Sequence, residues 1–276
     1  MPSYFANMAA YSAAVDAPAQ RIGLQKASVT TVAFREYALW RATGLPAPGA
    51  GFYGTTPVTC GAATVGAMPI VSSTSILRVV RAWFDFATKG FGSVMLHDRL
   101  IHNSGLSGIV TTAVTINTPA LPARAGAGEG VKVAVESWGT IGATATTLRM
   151  SSYTNSAGTP GQSGPGITFG STGWRDPPRF LPLSLAPGDT GVQSLETTTL
   201  LATTGTVGDY GITMYKTLLT LPVNTLLQRN PEDEGIFGLG GVMPVVDNDA
   251  CLFQTIVWST TSTGAMAGYI DLAEVP

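Results

Sequence analysis

The stretch from residue 111 to residue 223 constrains the fold most, because it repeats one unit: a short β-rich run closed by a turn. Val131, Val133 and Val135 alternate with polar or small residues. This period of two is typical of a strand with one buried face and one face toward water. Similar runs lie at residues 144–150, 167–169, 180–185, 193–201 and 210–221. Segments rich in Gly, Pro, Asn and Asp separate the runs, and these residues favour turns.

No helical period long enough for a crossover between parallel strands occurs in this stretch, so antiparallel sheets are favoured. We therefore predict a mostly β protein, built as an antiparallel β-sandwich or jelly roll. Residues 76–87 and 91–96 predict a β-hairpin. Residues 251–258 and 269–275 predict two closing strands.

The first 70 residues differ from the rest of the chain. Residues 6–19 are rich in Ala, with apolar side chains at helical spacing, and predict a short helix. Residues 27–39 fit either a strand or a helix. Residues 45–68 carry three prolines and repeated glycines, which predicts an extended arm or long loop.

The predicted organisation is an N-terminal arm and long loop over residues 1–70, followed by a β-sandwich core over residues 71–276. Long loops in compact proteins usually contact something. Aromatic side chains on an extended arm make good anchors, so Phe52 and Tyr53 are the predicted interface residues.

The composition restricts the partners that the protein can have. Charged residues make up 12% of the chain, about half the usual share. So few charges predict that sister subunits or a larger assembly cover much of the surface, as in a homo-oligomer; the alternative is a polar surface made mostly of Thr and Ser. A net charge of −2 gives no basic footprint for nucleic acid. No apolar run reaches the ~18 residues of a membrane span, and no secretion signal opens the chain, so we expect synthesis in a cytosol and no membrane partner.

One histidine cluster invites a hydrolase interpretation. His97, Asp98 and His102 lie close to Ser104 and Ser107 in the sequence. Catalytic triads are usually assembled from distant segments, however, and adjacent residues of a strand point to opposite faces. Two histidines with one carboxylate are also an incomplete metal-ligand set. We predict a turn with satisfied polar side chains, no catalytic residue and no metal site.

Two other motifs favour structural roles. Gly49, Gly51 and Gly54 match the spacing of a dinucleotide-binding loop, but prolines stand where its strand and its helix should be, so we predict no cofactor. Cys60 and Cys251 are far apart in the sequence and predict two buried thiols.

Carboxylates and tryptophans leave a carbohydrate-active alternative open. Candidate glycosidase pairs and sugar-stacking rings are Glu129 with Glu136, Asp189 with Glu196, and Trp138, Trp174 and Trp258. Residues 232–234 and 247–249 are acidic but lack the Gly and later Glu of a calcium loop. Carboxylates on the outward face of a strand are usually solvated, so we expect no enzyme activity.

Several turn and strand motifs carry a family resemblance. They are LHDRLIHNSGLSG at 96–108, SYTNSAGT at 152–159, FGSTGWR at 169–175, GDTGV at 188–192 and LTLPV at 219–223. In order and spacing they resemble virion structural proteins of tailed bacteriophages, over about half the chain. The resemblance implies a particle protein without catalytic residues.

The function that the resemblance implies is a head cement or decoration protein that bridges capsid subunits. Its partners would be the major capsid protein or other virion proteins, and its location would be the virion. The alternatives are a tail, neck or fibre-associated structural protein and, from a different class, a carbohydrate-binding or glycan-hydrolysing β-sandwich module.

Overall fold

Antiparallel pairing organises the chain. The computed structural model describes residues 5–51, 54–172, 174–225 and 243–275. In these residues one helix, α1 (Met8–Asp16), and one 3-10 turn (Ala123–Ala125) accompany sixteen strands. The strands are β1 (Gln20–Lys26), β2 (Glu36–Ala38), β3 (Gly44–Leu45), β4 (Val58–Thr59), β5 (Ile76–Phe86), β6 (Phe91–His102), β7 (Val114–Thr115), β8 (Val131–Gly139), β9 (Thr146–Asn155), β10 (Ile167–Phe169), β11 (Phe180–Pro182), β12 (Val192–Leu200), β13 (Asp209–Asn224), β14 (Val245–Val246), β15 (Leu252–Trp258) and β16 (Met266–Val275).

The strands form three sheets. A five-stranded sheet has the order β14-β5-β16-β1-β3, and a four-stranded sheet has the order β10-β9-β12-β7. The largest sheet has the order β11-β8-β13-β6-β15-β2, with β4 beside β6. The sheets pack on one another, which confirms the prediction of a mostly β, antiparallel fold and is consistent with a β-sandwich. The jelly-roll topology is not confirmed.

The long strand β13 joins two apolar cores on one face of the largest sheet. Its first half buries Tyr210, Ile212 and Met214 against the four-stranded sheet. Its second half buries Leu219 and Leu221 against the five-stranded sheet. The pairing with β6 shifts register twice between these halves. As a result, even-numbered residues face the core in the first half of β13, and odd-numbered residues face it in the second half.

The other face of the largest sheet is also buried, because the sheet curls until its first and last strands meet. Tyr37 of β2 and Arg179, just before β11, form an antiparallel bridge, and the Ala38 amide donates to the Pro178 carbonyl at 3.0 Å. The Arg179 guanidinium lies 4.4 Å from the centre of the Tyr37 ring. We call this sheet the closed sheet. Side chains fill its interior, as in other small closed sheets. The apolar ones are Ala38, Trp40, Cys60, Ala134, Trp138, Phe180, Tyr215, Cys251 and Phe253.

The terminal elements follow the sequence patterns. Helix α1 confirms the short helix predicted within residues 6–19, and β15 and β16 confirm the two closing strands. Residues 27–39 contain the short strand β2 and a turn at Ala33 and Phe34, and none of them is helical.

The predicted hairpin is wrong. Strand β5 pairs with β16 and β14, whereas β6 pairs with β13 and β15, so the two segments belong to different sheets. The intervening turn crosses between the sheets: the Ala87 amide bonds to the Ala265 carbonyl, and the Gly90 amide bonds to the side chain of Thr225.

The N-terminal arm is not confirmed either. Strand β1 lies between β16 and β3 and buries Ile22 and Leu24. Residues 46–51, after β3, lie against the closed sheet: the Gly49 amide donates to the Trp40 carbonyl at 2.8 Å, and a Cβ atom at Gly49 would clash with the Trp40 ring. The predicted interface residues Phe52 and Tyr53 lie outside the described residues.

Candidate functional site

A buried ion pair lies at the centre of the closed sheet. Arg99 of β6 and Glu136 of β8 approach to 2.6 Å, and the Thr213 hydroxyl donates to the same Glu136 oxygen at 2.8 Å. The Arg99 guanidinium lies 4.4 Å from the ring centres of both Trp40 and Phe253. Arg99 is 0% exposed and Glu136 is 3% exposed. Since burial of an unpaired charge is costly, this arrangement compensates both charges inside the protein and keeps both from ligands.

The two histidines are held in the same interior as neutral side chains. His102 Nδ1 lies 2.8 Å from the Thr213 hydroxyl, and burial, with a smaller effect of Arg99, holds the pKa of His102 well below its usual value. His97 Nε2 lies 2.8 Å from the Thr255 hydroxyl, which in turn donates to Glu36 at 2.6 Å. Burial first, then Lys132 and Arg99, lowers the pKa of His97 to about 3.

His97 and Glu36 therefore do not form an ion pair, although their nearest atoms are 3.9 Å apart. Burial raises the pKa of Glu36 to about 7, so that carboxyl group is partly protonated at neutral pH. The hydroxyl of Thr255 bridges the two side chains.

Asp98 points away from His97, as expected for neighbours on a strand. Its carboxylate accepts from Arg124 Nε at 2.8 Å and from the Cys251 amide at 2.9 Å. The raised pKa of Asp98 comes mainly from burial, which the hydrogen bond from Arg124 partly offsets. Asp98 therefore holds the start of β15 and the loop around Arg124 in place.

The histidine cluster is thus not the predicted turn. His97, Asp98 and His102 all belong to strand β6, and their side chains are buried inside the protein rather than placed at a surface turn. Ser104 follows the strand and is 1% exposed, while Ser107 is half-buried. These residues are neighbours along the chain, but the structure does not place a nucleophile, a base and a carboxylate around one cleft.

The candidate carboxylate pairs have separate environments. Glu136 is in the interior, whereas Glu129 is exposed and accepts from Ser156 and Thr190. Asp189 accepts from Tyr153 and Asn155, and Glu196 accepts from hydroxyl groups on β9 and β12. Each carboxylate is used by its own local hydrogen bonds.

Each of the three tryptophans packs against another side chain. Trp258 is 0% exposed and packs on Phe86 at 4.5 Å between ring centres, so the prediction of a sugar platform there is wrong. Arg41 covers the Trp138 ring at 4.8 Å, and Arg35 covers the Trp174 ring at 4.0 Å.

The remaining sequence candidates are also buried or bonded within the protein. Cys60 and Cys251 are free, buried thiols, as predicted. Asp249 pairs with Arg124 at 3.0 Å, and Asn248 bonds to Ser73. In the described part of the chain no group of three or more His, Cys, Asp or Glu residues is placed to hold a metal ion. Residues 232–234 lie outside that part. No described helix is long and apolar enough to cross a membrane.

No family model, curated protein or solved structure matches this chain. The surface of the molecule is therefore the remaining guide to its function.

An exposed apolar patch stands out on that surface. It consists of Val32, Phe34 and Phe91, which are 37%, 59% and 46% exposed, and we call it the Phe34 patch. The Phe34 and Phe91 rings lie 5.7 Å apart, and the chain near both residues is bonded to the end of β15. Phe34 has a φ of 59°, in the left-handed region that residues other than Gly seldom adopt.

A groove of about 470 Å³ adjoins the Phe34 patch. Phe34, Arg35 and Glu36 line one side, and residues of β10 and β11 line the other, with Trp174 between them. The patch and the groove together expose aromatic and aliphatic side chains beside the line where β2 and β11 meet. Surfaces of this kind bind other proteins.

Sequence reasoning missed the ion pair and the Phe34 patch. The available signal for the ion pair was the apolar content of both faces of β8, where Ala134 and Trp138 share a face with Glu136. That pattern indicates a strand buried on both sides, and a carboxylate there requires a buried partner. The left-handed backbone that exposes Phe34 has no signal in the sequence.

Proposed function

We propose that this chain is a structural protein of a phage virion: a head cement or decoration protein that stabilises the capsid by bridging capsid subunits. The observation that carries the proposal is the Phe34 patch with its groove, an apolar surface that a larger assembly would cover. We further propose that the protein forms a homo-oligomer and that its main partner is the major capsid protein.

The buried polar side chains support a structural role rather than catalysis. The ionisable groups that looked catalytic in the sequence hold the interior of the closed sheet together. The motif LHDRLIHNSGLSG, which carries the resemblance to phage virion proteins, begins in β6 and contributes Arg99 and both histidines to that interior. Proteins that share this motif would share the buried polar residues that stabilise the closed sheet.

The mechanism of stabilisation would be burial of the patch. A subunit that binds only to the assembled shell shifts the equilibrium toward the intact particle by mass action. Many copies on one lattice act together, so a modest affinity at each site is sufficient. Phe is among the residues enriched in the buried core of protein interfaces, so Phe34 and Phe91 suit such a contact.

The alternatives differ in position or in ligand. A tail, neck or fibre-associated protein would use the same surface against different neighbours. A glycan-binding module would need open aromatic faces, and Arg35 and Arg41 cover two of the three candidate rings. We therefore favour the capsid role.

Co-sedimentation with capsids that lack this protein tests the proposal. The test variant is Phe34→Asn with Phe91→Ser; Asn is chosen because it adopts left-handed φ values more readily than most residues. Loss of two aromatic contacts should weaken binding by about 2 kcal/mol or more, which is about 30-fold in affinity.

The matched control is Leu201→Ser with Val207→Ser, since both residues are 55% exposed and neither lines the groove. Thermal unfolding should be unchanged in both variants. If the wild-type protein does not bind capsids, the capsid role is wrong. If it binds and the patch variant binds equally well, the patch is not the contact surface.

A further inference from the structure

The two cysteines occupy neighbouring positions beside one strand. Strands β4 and β15 lie end to end along the same side of β6, because β13 occupies its other side. The Cys60 amide extends the β4 ladder by donating to the Leu100 carbonyl at 2.9 Å. The Cys251 carbonyl extends the β15 ladder by accepting from the Arg99 amide at 2.9 Å. Cys60 thus ends one strand where Cys251 begins the next.

This placement brings the two cysteines beside successive positions of β6. A disulfide requires ~4.4–6.8 Å between the two Cα atoms, a separation on the scale of neighbouring residues in a sheet. Both cysteine side chains belong to the apolar cluster inside the closed sheet. They are 1% and 0% exposed, so neither is available to another protein molecule.

The backbone around both cysteines is fixed. The Cys60 carbonyl accepts from Arg124 Nη2 at 2.6 Å, and the Cys251 amide donates to Asp98 at 2.9 Å. Since Arg124 also pairs with Asp98, the same ion pair holds both segments. The backbone at both cysteines is therefore held by one ion pair.

We propose that Cys60 and Cys251 are a modification site at which a peroxide oxidises the two thiols to one intramolecular disulfide. The chemistry requires only the protein and hydrogen peroxide. The proposed function supplies the setting, since a virion leaves the reducing cytosol for an oxidising environment, but the site itself does not depend on that function.

The two thiols have different roles in the reaction. The neighbouring Cys251 thiol lowers the pKa of Cys60 against the opposing effect of burial, and Arg99 and Arg124 lower it further. The neighbouring Cys60 thiol and burial raise the pKa of Cys251. Because the thiolate is the nucleophile, Cys60 reacts first.

The reaction balances in two steps. Cys60 Sγ attacks one peroxide oxygen, the O–O bond breaks, and the thiol proton leaves with the second oxygen as water. Cys251 Sγ then attacks the sulfenic sulfur, the S–O bond breaks, and a second water forms. Two thiols lose two electrons in total, and one hydrogen peroxide is reduced to two waters.

The disulfide would tie the loop before β5 to β15, near the C-terminal end of the chain. A crosslink between residues so distant in sequence restricts the unfolded chain strongly. For a protein of this size, the midpoint of thermal unfolding should rise by about 5–15 °C.

Thiol counting on the purified full-length protein tests the proposal. The protein is treated with hydrogen peroxide, denatured, alkylated and weighed by mass spectrometry, with and without a reductant. The expected result is that neither cysteine is alkylated and that the mass is lower by about two hydrogen atoms than that of the reduced, unalkylated protein. Reduction should restore both free thiols, and digestion should give a crosslinked peptide that contains Cys60 and Cys251. Cys60→Ser and Cys251→Ser should each abolish the crosslink.

In a second experiment the protein is unfolded in urea and refolded in a glutathione redox buffer, so that the oxidant does not have to enter the folded interior. A refolded protein with two free thiols would overturn the proposal, as would sulfinic acid on Cys60 without a crosslink or a disulfide between two chains. Failure to bind capsids would count against the proposed function and leave these results unaffected.

Discussion

The Arg99–Glu136 ion pair predicts a large difference between two otherwise equivalent substitutions. Glu136→Gln keeps the size of the side chain and an oxygen for the Thr213 hydroxyl, but it removes the charge that lies 2.6 Å from Arg99. Removal of one partner from a buried pair costs about 3–5 kcal/mol. Arg99 keeps its contacts with the Trp40 and Phe253 rings, so we expect the lower end, about 3 kcal/mol.

Glu129→Gln is the matched control, because Glu129 is exposed and bonds only to hydroxyl groups. Its effect should stay within about 0.5 kcal/mol. Urea unfolding followed by tryptophan fluorescence measures both variants, and thermal unfolding should show a fall of about 6–12 °C for Glu136→Gln. A double variant, Arg99→Met with Glu136→Leu, should recover most of the lost stability, because no charge is left buried. Equal stability of Glu136→Gln and Glu129→Gln would refute the assignment of a buried, charged pair.

Two further predictions concern the same interior and the N-terminal strand. The lowered pKa values of His97 and His102 mean that the unfolded chain binds more protons at these two residues below about pH 6.5, so the two histidines destabilise the fold as the pH drops from 7 toward 4. Glu36, with a pKa of about 7, and Asp98, whose pKa is also raised, act in the opposite direction. His97→Gln should therefore reduce the slope of unfolding free energy against pH by about 1.4 kcal/mol per unit, and an unchanged slope would count against a neutral, buried His97. Leu24→Ala should cost about 2–5 kcal/mol in urea unfolding because Leu24 is 4% exposed, whereas Leu45→Ala, at a position 61% exposed, should cost less than about 1 kcal/mol. Equal effects of the two would mean that β1 is not part of the core.

The local patterns of the sequence predicted much of the fold. The alternation of Val131, Val133 and Val135 predicted a strand, and β8 places all three in the core toward the four-stranded sheet. The closing strands were equally clear. Alternation reports which side chains turn inward, and it does so wherever one face meets an apolar layer.

Pairing between strands was harder to predict, because it depends on contacts between distant segments. Strands β5 and β6 are adjacent in the sequence, but β5 pairs with the C-terminal strand β16. The prolines and glycines of residues 45–68 predicted an arm, yet Gly49 allows that loop to lie against Trp40. A Gly-rich loop that covers a sheet and a Gly-rich loop that extends into solvent have the same composition.

For the candidate site, too, local features could be predicted from the sequence and contacts between distant segments could not. Residue spacing correctly placed His97 and Asp98 on opposite faces and argued against a triad. The burial of Glu136 could not be predicted, because its partner Arg99 lies in a different strand, and the closure of the sheet by Tyr37 and Arg179 is a property of the whole fold.

A density map of the virion tests the central claim most directly. If the chain is a capsid cement protein, the map will show many copies on the capsid lattice, with Phe34 and Phe91 buried against capsid subunits. Copies confined to a tail or neck ring, or copies on the capsid whose Phe34 patch faces solvent, would contradict the account.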